Sequence, residues 1–377
     1  MKFCPNCGKP LKPGAKFCPN CGYRLHTTAV PTANTSQPSP VPTMSVPSTP
    51  AATDQFVTSS KAAAATMKLV FSQVFQKHSQ AEAEEIFITG TQRTTPALSA
   101  VKSDWGRPWL FARVFALFGI SFCGLLFVAV SDNNSLMIPG VILTGAFAVP
   151  LSALVFFFEM NAYKNISFYE TLKVFVLGGV LSLLVTMFLY QFVSFSAQEQ
   201  YYGTFTWGDT ISIGIAEELG KVLIVAYFVK KSNYSYILNG MLIGAAIGAG
   251  FAAFETAGYI YNAGDQLLDV ALLRAITAVG SHVVWTAITG AALVAVKRNA
   301  PLDGKTFFQG KFLGYLAAAI ALHAVWDKAT VILDSQLLTI ITVTIVGWAL
   351  LYNLMGEGLA EIQARKQGMQ ITSGGKA

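Results

Sequence analysis

Long apolar stretches separated by short polar connections dominate the chain from Trp109 onward. Eight of these stretches approach or exceed the roughly 20 residues that a helix needs to cross the hydrocarbon core of a bilayer. The pattern therefore predicts an all-α polytopic membrane protein with eight transmembrane helices between residues 109 and 355. The predicted spans are Trp109–Val130, Met137–Phe158, Phe168–Phe195, Trp207–Val229, Tyr236–Tyr259, Leu267–Val296, Phe312–Leu333 and Leu337–Met355.

The first 26 residues contain two CPNCG repeats and are predicted to form a small zinc ribbon. Two C-x-x-C pairs supply the four thiolates of a tetrahedral structural zinc site. A segment this short cannot bury a core, so binding of Zn²⁺ would provide its folding energy. A disulfide pair and a redox C-x-x-C are the alternatives. The four predicted ligands are Cys4, Cys7, Cys18 and Cys21.

Two further segments separate this ribbon from the first predicted span. Residues 27–59 are rich in Pro, Ser and Thr, and they are expected to form a disordered linker. Residues 60–108 are expected to form a cytoplasmic amphipathic helical segment. From Ser60 to about Gln80, an apolar stripe from Met67 to Phe75 at helical spacing predicts an amphipathic helix on the membrane or on a neighbouring helix. Residues 356–377 are expected to form a cytoplasmic tail.

Composition and charge agree with a membrane location. Hydrophobic residues make up 53% of the chain and charged residues 12%, against ~25% charged residues in soluble domains. The net charge of +6 reflects Lys and Arg in alternate loops, whereas the other loops between spans contain neither. By the positive-inside rule, both termini are expected in the cytoplasm of a bacterial cell, with the spans in the inner membrane. No nucleic-acid partner is expected.

Ionisable residues interrupt the fourth predicted span. Glu217, Glu218 and Lys221 lie near its middle, where each charge costs at least ~2.5 kcal/mol on insertion scales and marks a functional site. Lys221 follows the glutamates at i+4 and i+3, so it can neutralise one carboxylate. The other carboxylate is expected to remain available for chemistry.

Spans five to seven carry the remaining candidate residues, namely Glu255, His282, His323 and Asp327. His323 and Asp327 share a helix face because they are i and i+4. In a continuous sixth helix, Arg274 would lie two turns from His282 on the same face, where it would hold an acid or snorkel outward. Carboxylates and imidazoles gathered in a protein-walled cavity could activate water, with a glutamate as general base, or bind a divalent metal. The same set could serve ion or proton transport.

Read together, these motifs resemble the PrsW family of intramembrane proteases, which is related to the CAAX-protease/Abi superfamily. The resemblance rests on Glu217-Glu218-x-x-Lys221, on Phe251-x-x-x-Glu255, and on His282 and His323 in later spans, and it covers about residues 109–355. It implies an intramembrane endopeptidase that acts on membrane-embedded, for example single-pass, proteins. A non-proteolytic transporter, or a scaffold that recruits a protein partner through the zinc ribbon, is the alternative.

The resemblance also implies roles for individual residues. Either Glu217 or Glu218 would be the base, assisted by Glu255 and His282. His323 and Asp327 would orient water or stabilise the oxyanion. The resemblance leaves the catalytic type open, as glutamic or metal-dependent.

Overall fold

A computed structural model describes residues 2–3, 10–11, 62–328 and 334–374 of the chain. The chain divides into two units, Met1–Gln55 and Phe56–Ala377, which are described separately. In the first unit, strand β1 (Lys2–Phe3) pairs antiparallel with β2 (Pro10–Leu11). The four predicted zinc ligands and the predicted linker lie outside the described residues, so the predicted domain boundaries there stay untested.

The second unit is helical. It opens with α1 (62–70) and a 3₁₀ turn at Phe71–Gln73, where the sequence predicted one longer amphipathic helix. Phe75, from the predicted apolar stripe, lies beyond this turn and is 96% exposed. The following helices are α2 (Gln80–Phe87), α3 (Leu110–Ser131), α4 (Ile138–Met160), α5 (Phe168–Lys173), α6 (Gly179–Tyr190), α7 (Ala197–Tyr202), α8 (Trp207–Ser232), α9 (Ile237–Asn262), α10 (Leu267–Thr277), α11 (His282–Lys297), α12 (Gly310–Lys328) and α13 (Gln336–Gly374).

Five stretches of the described residues are long and apolar enough to cross a membrane. Helix α8 has sufficient length, 26 residues, but it contains the three charged residues of its central motif. The chain is thus a multi-pass membrane protein, and the count of eight spans stays a prediction. The five stretches are Leu110–Ser131, Ser135–Met160, Phe168–Tyr190, Ile237–Asn262 and Gln336–Gly368.

The sixth predicted span, Leu267–Val296, is not one helix. Helix α10 ends at Thr277, a 3₁₀ turn covers Ala278–Gly280, and α11 begins at His282. Ser281 has an extended φ of −105° and a ψ of −140°, which breaks the helical path. The prediction that Arg274 and His282 share one helix face is therefore wrong, because they lie on different helices.

The last helix extends beyond its predicted end. Residues 356–374, predicted as a tail, continue α13, and Glu361 and Arg365 within them contact the start of α9 and the residues before it. Glu361 accepts a hydrogen bond from the backbone N–H of Ile237 at 2.9 Å, and Arg365 donates to the carbonyl of Ser235 at 2.6 Å. The first of these contacts satisfies one of the free backbone N–H groups at the start of α9.

Close packing of α9 on α11 builds the centre of the fold. A Cβ added to Gly240, Gly244 or Gly248 would lie 2.3, 2.1 or 2.4 Å from a carbonyl oxygen of α11. This is the small-xxx-small spacing that lets two membrane helices approach closely. The carbonyl facing Gly248 belongs to His282, so the glycine row fixes the position of that histidine.

Gly244→Ala is expected to destabilise the protein, because the new methyl group cannot enter the space occupied by the Thr286 carbonyl. Overpacking of this kind typically costs about 1–3 kcal/mol. Thermal unfolding in detergent checks this, with Gly258→Ala on the same helix as control, because a Cβ there meets nothing within 4 Å among the described residues. Equal Tm values for the two variants would contradict the packing described.

Candidate active site

Helix α8 positions the central motif of the site. Thr206 begins the helix through a capping box with Asp209, in which each side chain accepts from the other residue's backbone N–H. Such a box satisfies two of the free donors at a helix start. Further along α8, Glu217, Glu218 and Lys221 lie within about one helix turn of each other. They are on the side of α8 that faces α11 and α12.

Lys221 contacts both glutamates rather than one. Its Nζ lies 2.7 Å from Oε1 of Glu218 and 3.3 Å from Oε2 of Glu217. Both carboxylates therefore lie within reach of the lysine, although its single charge can balance only one of them. An ammonium group has three donors and can serve several acceptors, and the spacings i+3 and i+4 bring both acceptors within its reach. The third contact is with Nδ1 of His282, at 2.8 Å.

The two glutamates differ in their surroundings. The side chain of Glu218 is fully buried, and its Oε1 also lies 2.9 Å from Nδ1 of His323. Its Oε2 has no hydrogen-bond partner among the described residues. Glu217 instead borders a cavity, where its Oε1 accepts a hydrogen bond from the hydroxyl of Tyr190 at 2.7 Å. Of the pair, Glu217 is the carboxylate that a substrate or water can approach.

Both histidines lie beside Glu217. Its Oε2 is 3.6 Å from Nε2 of His323 and 3.9 Å from Nδ1 of His282. Asp327 Oδ2 lies 3.5 Å from the same Nε2, as their i,i+4 spacing predicted. The carboxylates and imidazoles thus lie close enough to exchange protons directly or through one water.

Helices α9 and α10 complete the cluster. Oε2 of Glu255 lies 3.1 Å from Nε2 of His282 and accepts a hydrogen bond from Arg274 at 2.8 Å. Arg274 also donates to the hydroxyl of Thr256, and its guanidinium lies 4.2 Å from the ring centre of Tyr259. Arg274 therefore holds an acid, as its sequence position favoured, although it comes from a separate short helix.

A cavity of about 240 Å³ gives access to these groups. It extends from the cluster towards Phe195, Glu199 and Phe205, in the segment between α6 and α8. A larger cavity of about 490 Å³ elsewhere is lined by apolar side chains and one serine, and it offers no group for acid–base chemistry. The side chains that line the smaller cavity are Tyr190, Phe195, Glu199, Phe205, Ile213, Glu217, Glu255, Tyr259, Arg274, His282, Trp326 and Asp327.

The structure brings all seven predicted site residues of the membrane domain into one cluster, and it adds two that sequence reasoning missed. Tyr190 bonds Glu217, although a tyrosine near the end of a span reads as an interfacial anchor. Trp285 is fully buried, and its ring centre lies 5.2 Å from that of His282 and 4.8 Å from that of His323. Its position three residues after His282, on the same helix face, was the available signal.

Three residues of the cluster match the donors of a divalent metal site. Ligand atoms of Glu217, His282 and His323 lie within 4.8 Å of one another. Two imidazoles and a carboxylate are ordinary zinc ligands in hydrolases. The position of Lys221 opposes this use, because its ammonium contacts two of the three ligand atoms. The donor set fits a metal in type and spacing, but it does not fit one while Lys221 is in place.

A buried cluster of acids and imidazoles beside a polar cavity, within a multi-pass membrane protein, is the arrangement expected of an intramembrane hydrolase. Residues 168–355, about half of the chain, match the family described as PrsW family intramembrane metalloprotease. The chain belongs to the PrsW family of intramembrane proteases and is thus a peptidase. Residues 3–25 match the zinc-ribbon domain, in agreement with the N-terminal prediction.

Two curated relatives support this assignment. A protein named Protease PrsW from Halalkalibacterium halodurans is 25% identical over 190 residues, which cover 50% of this chain and 85% of the relative. A second Protease PrsW, from Clostridioides difficile, is 25% identical over 160 residues, which cover 41% of this chain and 65% of the relative. No solved structure matches the chain significantly.

Proposed function

We propose that this chain hydrolyses peptide bonds of membrane proteins, single-pass proteins among them, with Glu217 as the general base. The observation that carries the proposal is the placement of Glu217. It borders the 240 Å³ cavity and lies within 4 Å of both imidazoles, whereas the neighbouring Glu218 is fully buried. A general base must reach the proton that it removes, directly or through one water.

In the proposed reaction, a water molecule in the cavity attacks the carbonyl carbon of the scissile bond while Glu217 takes its proton. The tetrahedral oxyanion then collapses, the C–N bond breaks, and Glu217 returns the proton to the leaving nitrogen. His323 and Asp327 orient the water, and Glu255 holds His282 against the cluster. Glu218 fixes Lys221 and His323 through its buried contacts.

Tyr190 serves this reaction by its hydrogen bond to Glu217. While Glu217 is ionised, the phenol holds Oε1 and leaves Oε2 towards the histidines. When Glu217 becomes protonated, its demand for a donor falls, and the phenol can donate to the oxyanion that forms beside it. Donors that are in place before the charge develops stabilise an oxyanion most effectively.

Tyr190→Phe is therefore expected to lower kcat about 10²-fold, within the range for loss of one oxyanion donor. The change should leave KM nearly unaltered, because the oxyanion forms only during the reaction. Cleavage rates at several substrate concentrations measure this, with Tyr261→Phe as control for an exposed tyrosine of α9. A kcat identical to wild type would refute the role of Tyr190.

Access to the site is proposed from the outer face of the membrane. The cavity leads to the segment between α6 and α8, which contains no Lys or Arg between residues 191 and 206. The opposite end of α8 carries two lysines, Lys230 and Lys231. By the positive-inside rule, that opposite end is cytoplasmic, so substrates would be cleaved near the outer surface.

A cysteine at Gln198 is expected to react with an impermeant maleimide added to intact cells, whereas one at Ser232 should react only after lysis. Gln198 lies in α7, before the N-terminal end of α8, and Ser232 is the last residue of α8, a helix long enough to span the hydrocarbon core. Labelling of the 232 variant alone in intact cells would reverse the proposed orientation.

The N-terminal zinc ribbon is proposed to hold one Zn²⁺ through Cys4, Cys7, Cys18 and Cys21 and to offer a docking module for a protein partner. Metal analysis of the purified full chain should find stoichiometric zinc. Replacement of the four cysteines by serine should remove it. Zinc content unchanged by these substitutions would contradict the ligand assignment.

The proposed activity can be tested in cells by comparing new protein termini in membranes that contain wild type or Glu217→Gln. We expect a set of membrane proteins with termini found only with wild type, clustered near the outer ends of their spans. Glu357→Gln is the matched control, because this glutamate pairs with Lys311 on the opposite, cytoplasmic side of the proposed topology. The absence of any wild-type-dependent terminus would contradict the proposal.

A further inference from the structure

We infer that the ammonium of Lys221 occupies the place that a catalytic metal would need, so that the site uses this lysine as its own cation and excludes divalent metals. The inference deepens the function proposed above. Its test measures bound metal rather than cleavage, so each can fail without the other. It disagrees with the metalloprotease description of the matched family.

The distances leave no room for both cations. Nδ1 of His282 and Oε2 of Glu217 are 3.9 Å apart. A zinc ion lies about 2.0–2.2 Å from nitrogen and oxygen ligands, so an ion bound to both atoms must lie close to their midpoint. Nζ of Lys221 is 2.8 Å and 3.3 Å from the same two atoms, which places the midpoint within about 2.4 Å of this nitrogen. Two cations at that separation repel each other strongly in a buried site.

Lys221 is also fully occupied where it lies. Its three donors face three acceptors, on Glu217, Glu218 and His282, and its side chain is fully buried. The ammonium also lies over the ring of Phe251, with Nζ 4.1 Å from the centroid, where a cation is attracted to the aromatic face. Moving the lysine aside would break all four contacts, so its displacement by a metal would cost the free energy of these contacts.

The two ring nitrogens of His282 are placed as in a metal-binding histidine. The ammonium of Lys221 lies where the metal ion would lie, and a carboxylate lies at the other nitrogen. Its Nδ1 accepts from Lys221, so its Nε2 carries the hydrogen and donates to Glu255 at 3.1 Å. Metal-bound histidines ordinarily donate their other N–H to a carboxylate in this manner. Removal of the lysine charge should therefore convert the same residues into a metal site.

The charge balance supports that conversion. Four carboxylates, of Glu217, Glu218, Glu255 and Asp327, are gathered around two permanent cations, Lys221 and Arg274. Loss of the lysine charge leaves Arg274 as the one permanent cation beside four carboxylates. Buried carboxylates without a partner charge attract a cation such as a metal ion strongly.

The experiment uses the full-length chain with Cys4, Cys7, Cys18 and Cys21 replaced by serine, so that the ribbon contributes no metal. Co²⁺ is the optical probe, because its d–d bands report tetrahedral nitrogen and oxygen ligands, and Zn²⁺ is measured by elemental analysis after dialysis. The parent should retain neither metal. Lys221→Met and Lys221→Gln in this background should each bind about one metal per chain, with a rise in Tm on adding Zn²⁺.

Adding His282→Ala to Lys221→Met should abolish the bound metal, which locates it at this site. The inference is overturned if the parent retains one equivalent that His282→Ala or His323→Ala removes. It is also overturned if folded Lys221→Met and Lys221→Gln take up no metal at saturating Co²⁺. Should neither lysine variant fold, the parent decides: a parent that excludes Co²⁺ supports the inference, and one that binds it at His282 refutes it.

Discussion

Replacing Glu217 with glutamine is expected to reduce kcat at least 10²-fold and up to 10⁴-fold, the usual contribution of a general base. The amide has the shape of the acid but cannot accept the proton of the attacking water. The amide oxygen can accept from Lys221, and the NH₂ group can donate to the hydroxyl oxygen of Tyr190, so both contacts can persist with the second one reversed. Because Glu217 borders the cavity, water can solvate the altered group, and the fold should survive.

Comparison of Glu218→Gln with Glu217→Gln distinguishes a structural role from a catalytic role for the two adjacent glutamates. Its carboxylate is fully buried between Lys221 and His323, so its neutralisation should lower Tm much more than Glu217→Gln does. Circular dichroism melts of the purified variants, alongside cleavage rates, provide the comparison. The assignment of the base would be wrong if Glu217→Gln cleaved at the wild-type rate while folded Glu218→Gln were inactive.

Lys221→Met is expected to produce the largest loss of stability. Methionine retains the length of the side chain but removes the charge that two carboxylates share, at 2.7 Å and 3.3 Å. Removing one partner of a buried ion pair costs about 3–5 kcal/mol, because the remaining charge stays buried without compensation. Denaturant or thermal unfolding in detergent without added metal measures this loss.

Lys230→Met is the matched control for that substitution. It makes the same change on the same helix, two to three turns away, but at an exposed position. Its unfolding free energy should stay within ~0.5 kcal/mol of wild type, as for most surface substitutions. Similar losses in both variants would contradict the buried role of Lys221.

The convergence of the site could be predicted from sequence because its residues are costly in a membrane. Charges at bilayer depth must pair with one another or line a cavity. Glu217, Glu255 and His323 were therefore expected to lie close together in the fold. The i,i+4 contact of His323 with Asp327 needed only helical geometry, and the structure places the two at 3.5 Å.

The sequence could not predict which of Glu217 and Glu218 faces the cavity and which is fully buried. Both lie within reach of Lys221 along one helix, and their difference depends on what other helices place beside them. A histidine of α12 buries Glu218, whereas a tyrosine at the end of α6 joins Glu217 at the cavity. Contacts between residues 27 and 105 positions apart leave no local signal in the sequence.

The break before His282 was also hidden from the sequence. Residues 267–296 are apolar enough to read as one span, and Ser281 is a weak helix breaker by propensity alone. The structure separates α10 from α11 there, which lets Arg274 approach Glu255 from a different direction than His282 does. Tertiary contacts of this kind override local preference.

The most direct test of the account is cleavage by purified protein in liposomes that contain one single-pass substrate identified from its new terminus in cells. Wild type, Glu217→Gln and Glu357→Gln would be compared by following the two product fragments by mass spectrometry. We predict cleavage at one site by wild type and Glu357→Gln, and a rate at least 10²-fold lower with folded Glu217→Gln. Undiminished cleavage by Glu217→Gln would contradict the central claim that this carboxylate activates the water.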